Sequence, residues 1–152
     1  MNTSDLSGSD MEILVDTNVL LDVLTGRKPF VEDSASVWSL IQEGLLDGFL
    51  SAITVNNLYY IIRKLRDRET AEGFVDRVLE DFEIVSLTQT ILKQSRSRSV
   101  AGKDFEDSIQ YFSALQEGCD VLVTRNKRDF PKVGIEILTP HELLEKLRKN
   151  AE

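Results

Sequence analysis

The chain has 152 residues, 41% hydrophobic and 29% charged, which suffices for one domain with its own core and is too short for two. Its one cysteine, Cys119, excludes an internal disulfide framework, and with a single histidine a Cys/His zinc site is excluded too, so any metal has to sit on carboxylates. The net charge is -8, no apolar run approaches the ~18 residues of a membrane helix, and the polar, acidic first residues do not resemble a signal peptide, so a cytoplasmic protein with no membrane partner is expected.

Residues 1–10 are too polar to pack and are expected to be a disordered leader, with a single domain over 11–152. Five short, β-branched or apolar runs read as strands: Ile13 to Val15, Phe49 to Ala52, Glu83 to Val85, Val121 to Val123 and Ile135 to Leu138. Stretches of helical period separate them: Asn18 to Leu24, Val31 to Leu46, Val55 to Asp67, Ala71 to Asp81, Thr88 to Arg98 and Phe105 to Gln116, with Glu142 to Lys149 last. Trp38 falls on a core stripe with Val37, Leu40 and Ile41. Strand and helix in alternation predict an α/β fold, a three-layer α/β/α sandwich around a parallel sheet of about five strands. The glycines are scattered and form no phosphate-cradling loop, which disfavours nucleotide binding of the P-loop or dinucleotide kind.

In such a sheet a ligand binds beyond the carboxyl ends of the strands, so polar residues that follow strands are the candidates. The first strand empties into Asp16, which could serve a crevice or simply cap the helix beginning near Asn18. Asp22, about 240° round that helix, cannot share its task. Asp104 and Asp107 lie three apart on one face at the head of a helix, where they could cap it or share a cation, while Glu106 is expected to point away from both. After the fourth strand, Thr124 and Asn126 face the same crevice as Asp16, and Asp129 reads as a turn residue. After the second strand come Asn56 and Asn57, with Thr54 as the helix cap and Tyr59 and Tyr60 packing inward. Asp120 and Glu12 stand at the wrong ends of their strands, and His141 is expected to face solvent.

The net charge conceals three basic groups: Arg63, Lys64, Arg66 and Arg68; Lys93, Arg96, Arg98 and Lys103; and Arg125, Lys127, Arg128 and Lys132. They are either solvated helix faces or a rim for phosphates. The apolar residues of the last helix, Leu143, Leu144 and Leu147, could dock on the sheet or on a second copy in a homodimer.

Three segments taken together, Asp16 to Asp22, Asp104 to Asp107 and Thr124 to Phe130, resemble the PIN-domain family of nucleases from Met11 to about Leu144. The resemblance implies cleavage of RNA by an acidic cluster holding Mg²⁺ or Mn²⁺, and, since many members look like toxins of toxin-antitoxin pairs, a cognate antitoxin as partner. The family's first acid matches Asp16 and its third Asp107, with Asp104 an alternative or extra ligand. Its second and fourth fall on Asn57 and Asn126, a variant in which two of four carboxylates are amides. On this reading Asp16, Asp107 and Asp104 are the metal ligands, and Asn57, Thr124 and Asn126 orient water or the scissile phosphate. A catalytically degenerate module that binds RNA or protein is the alternative, and a phospho-acceptor of the response-regulator type lacks the paired acids expected after its first strand.

Overall fold

A computed structural model describes residues 11–97, 104–132 and 134–151, so the expected leader and the cations Arg98 and Lys103 lie outside the described residues. The chain runs β1 (Glu12–Val15), α1 (Thr17–Thr25), α2 (Val31–Gln42), β2 (Asp47–Ser51), α3 (Ala52–Leu65), α4 (Arg68–Asp81), β3 (Glu83–Val85), α5 (Gln89–Arg96), α6 (Phe105–Glu117), β4 (Val121–Val123), a 3-10 turn (Lys127–Asp129), β5 (Glu136–Leu138) and α7 (Pro140–Ala151). The strands form one sheet in the order β3-β2-β1-β4-β5, every neighbouring pair parallel.

Each face of the sheet is covered by its own apolar layer, as a parallel sheet requires. Ile13, Val15, Leu50, Val121 and Val123 pack under helices α1 to α4 and α7, whereas Leu14, Phe49, Val85 and Leu122 pack under α5 and α6. Trp38 is buried as expected, donates from Nε1 to Asp81 at 2.8 Å and meets Phe74 and Phe82 edge-on. Leu143, Leu144 and Leu147 are buried within the same molecule, so α7 docks on its own fold. Gly48 is required in β2 because a Cβ there would stand 2.7 Å from Ile41 Cδ1 and 2.9 Å from Phe82 Cδ1, closer than packed carbons approach. Cys119 is buried, and desolvation with Glu12, Glu117 and Asp120 nearby pushes its thiol up to about 12, which makes it an unreactive core residue. Among the described residues no helix is long and apolar enough to cross a membrane.

Two helix boundaries differ from expectation at caps. α2 stops at Gln42 and not Leu46 because Gly44 takes a φ of 77° and the N–H of Leu45 returns to the Leu40 carbonyl. α3 begins at Ala52, three residues early, because Ser51 and not Thr54 is its cap, accepting from the Ile53 N–H at 3.4 Å. Thr54 is thereby freed to act inside the helix. Tyr60 is 57% exposed and does not pack inward, while Tyr59 is half-buried and meets it edge-on.

Candidate active site

The strand order reverses at β1, which lies between β2 and β4, and the crevice beyond the carboxyl ends of β1 and β4 is where this architecture places ligands. Asp16 stands at that point. The parallel ladder carries over into it, its N–H donating to the Val123 carbonyl at 2.9 Å. It occupies the N-cap position of α1 with extended backbone, yet its side chain makes no cap hydrogen bond. Instead Oδ2 accepts from Thr124 Oγ1 at 2.7 Å, so a residue type that usually caps a helix has been turned toward β4. Thr124 is fully buried and also accepts from the Asn126 N–H at 3.0 Å, which folds the polar turn back over the strand end.

α6 brings a second set of acids to the same place. Asp104 is its N-cap and accepts from the Asp107 N–H at 2.8 Å, so the ordinary capping role holds for this residue. Asp107 is half-buried in the first turn. Glu106, expected to point away from Asp104 and Asp107, reaches the crevice from another side: Oε1 accepts from Thr17 Oγ1 at 3.3 Å and from Gln110 Nε2 at 3.5 Å, close enough to Asp16 for the two charges to oppose each other. Thr17 Oγ1 also meets Thr54 Oγ1 at 3.0 Å, which ties α1, α3 and α6 together behind the crevice. Asn57 stands one turn beyond Thr54, half-buried, and Asn126 is exposed at the head of the 3-10 turn. Asp129, expected to act only as a turn residue, closes that turn and also lies near enough to Asp107 to oppose its ionisation.

Electrostatically the crevice is a concentration of like charge. Burial raises the Asp16 carboxyl above the usual carboxylate range, with Thr124 and Gln110 pulling the other way and Glu106 adding to the rise. Desolvation first, then Asp104 and Asp16, push Asp107 up to about 7. Among the described residues no Lys or Arg is ion-paired with Asp16, Asp104, Glu106 or Asp107. Gln110 Oε1 is buried there without a hydrogen-bond partner. Hard oxygen donors, mutual repulsion and an orphaned buried oxygen are the surroundings that suit a hard divalent cation. Among the described residues no three acidic, His or Cys side chains converge at metal-binding distance.

The raised carboxyl gives a pH test. With a folded value of about 7 against ~3.9 unfolded, Asp107 favours the fold fully below about pH 4, and that contribution is lost as pH rises through 7. Asp107→Asn, which is never charged, should therefore match wild type at pH 4 and exceed it at pH 8. Because the side chain is half-exposed, solvent screening reduces the gain to about 1 kcal/mol, or ~2–4 °C in the melting temperature. Equal melting shifts at both pH values would show that Asp107 carries no such charge burden.

The excluded acids behave as their positions dictate. Asp120 Oδ2 accepts from the Glu12 N–H at 2.9 Å at the far edge of the sheet. Asp22 is remote from Asp16's task but has one of its own that the sequence reading missed: it is buried and accepts from Arg125 Nε at 2.8 Å. His141 faces solvent, as expected, with Nδ1 3.2 Å from Asp33 Oδ2.

A parallel α/β sheet with a braced carboxylate at its switch point and further acids on the facing helix defines the class of acidic-crevice α/β domains. Residues 12–128 match the PIN domain family model, and the chain belongs to that family. It is similar to Ribonuclease VapC1 of Aquifex aeolicus (strain VF5), 25% identical over 138 residues that span 89% of this chain and 94% of that protein. Its fold is similar to a toxin-antitoxin complex from Klebsiella pneumoniae and to DNA-bound VapBC from Salmonella typhimurium, with TM-scores of 0.62 and 0.65. Each is 23% identical and covers 86% of this chain and 98% of the solved one.

Proposed function

We propose that the chain is a Mg²⁺- or Mn²⁺-dependent endoribonuclease, the toxin of a toxin-antitoxin pair. The observation that carries this reading is Asp16, buried and fixed by Thr124 at the switch point, opposite an Asp107 whose charge is held back by burial and then by its acidic neighbours. The similarity to Ribonuclease VapC1, and a fold like that of toxin chains complexed with antitoxins, support it.

Asp16 and Asp107 would hold the cation, with Asp104 able to contribute the carboxylate oxygen that does not cap the helix. A bound divalent ion supplies Lewis-acid polarisation of the phosphate and a water of lowered pKa. The protein's own part is positional. Thr124 sets the rotamer of Asp16, the Thr17–Thr54 and Glu106–Gln110 contacts fix the walls, and Asn57 and Asn126 would orient water or a phosphate oxygen. The exposed cations Lys93, Arg96, Arg128 and Lys132 grip the flanks of a single strand whose phosphates the acidic floor alone would repel. An antitoxin, encoded apart from this chain, would keep the crevice closed.

The test is incubation of the purified chain with a fluorescent single-stranded RNA and Mg²⁺ or Mn²⁺, with and without chelator. Cleavage that stops on chelation and resumes when the ion is restored is the expected result. RNA that binds with chelator-insensitive affinity and is never cut would overturn it in favour of a degenerate binding module, the reading that the amides Asn57 and Asn126 favour.

A further inference from the structure

A second cavity opens beside Arg125, the residue that follows Thr124 in the chain. It has a volume of about 250 Å³ and lies between the heads of α2 and α7, walled by Phe30 and Pro140 with Asp33, Ser34, Arg125 and His141. Ser34 is 1% exposed, and its Oγ has no hydrogen-bond partner. A buried hydroxyl left unpaired costs stability, so its presence against an open cavity marks a position where a ligand atom would complete it. Arg125 binds this cavity to the first one: it follows Thr124 directly, and its guanidinium lies 5.0 Å from the Phe30 ring centroid.

The chemistry of the walls selects the occupant. An anion is disfavoured, because the Arg125 charge is already matched by Asp22 and a carboxylate residue, Asp33, lines the cavity beside His141. A flat, uncharged ring with polar edges fits: its faces against Pro140 and the part of Phe30 that the guanidinium leaves open, its edge on Ser34 and Asp33. We propose that this cavity is a nucleobase subsite, holding a base of the RNA strand next to the one whose phosphate enters the acidic crevice, with preference for a base that offers an N–H to Asp33. The inference rests on the ribonuclease reading for its substrate but on a separate set of residues for its site.

Neutral nucleosides test it apart from phosphate and metal. Adenosine, guanosine, cytidine and uridine are titrated in chelator and followed by ligand-observed and protein NMR, on wild type, Asp16→Asn, Phe30→Ala and Ser34→Ala. At least one nucleoside should bind wild type and Asp16→Asn alike and bind Phe30→Ala about tenfold or more weakly. Ser34→Ala should also bind it more weakly while melting no lower than wild type, since the lost hydroxyl had no partner. In cleavage assays Phe30→Ala should raise KM for RNA far more than it lowers kcat and relax the base preference beside the cut. Absence of binding by all four nucleosides, or equal binding by wild type and both cavity variants, overturns the proposal, as does a cavity protected only by a protein partner. Nucleoside binding by a chain that cuts no RNA would keep the subsite and remove the nuclease reading instead.

Discussion

Asp16→Asn should cleave single-stranded RNA about 10²- to 10³-fold more slowly than wild type while folding to the same structure, the size of effect seen when one preorganised electrostatic group is removed from a reacting centre. The substitution is isosteric, and the amide oxygen still accepts from Thr124, so the brace between β1 and β4 survives. What is lost is the charge. Calorimetric titration of Mn²⁺ should give heat of binding with wild type and little with the variant, and the variant should melt higher at pH 8 because a desolvated carboxylate no longer has to ionise in place. Wild-type cleavage in Asp16→Asn would remove Asp16 from the reaction.

The largest effect on stability is expected at a different pair. Arg125→Ala leaves the Asp22 carboxylate, whose side chain is 3% exposed, buried without its guanidinium partner, and breaking a buried pair from one side costs about 3–5 kcal/mol. In a domain of this size that corresponds to a fall of roughly 10 °C in melting temperature. Substituting both members together, as in Asp22→Leu with Arg125→Met, should recover much of the loss, since no charge is then left unpaired. Thermal unfolding of the three variants checks both statements, and a loss under about 1 kcal/mol for Arg125→Ala would mean that the pair is dispensable.

The sheet was legible because its strands carry near-continuous apolar runs, which only a sheet buried on both faces explains. β3 and β4 appear with the bounds the residues imply, and α6 is one residue longer. What the pattern did not disclose is what side chains do across long distances in the chain. Asp16 has a partner 108 residues away, and nothing near Asp16 distinguishes a carboxylate turned toward β4 from one that caps α1. Pointing away from Asp104 and Asp107 does not disclose that Glu106 meets Thr17 and the neighbourhood of Asp16. The spacing of four between Glu106 and Gln110 was the available signal that the two share a face. The Asp22–Arg125 pair is 103 residues apart: an acid within the apolar stretch Val19 to Leu24 hints at burial, but nothing local names Arg125 as its partner.

The brace between Thr124 and Asp16 has a consequence for the order in which the protein is made. β1 and α1 are synthesised before the rest of the sheet, but β1 lies at its centre and its neighbour β4 is more than a hundred residues downstream. A nascent chain that ends before Val121 has Asp16 without its hydroxyl partner and lacks both Arg125 and the turn that closes the crevice. Parallel strands joined only through distant crossovers gain their pairing late. The arrangement of Asp16 is therefore completed only when β4 and the turn after it have emerged and closed on the first strand.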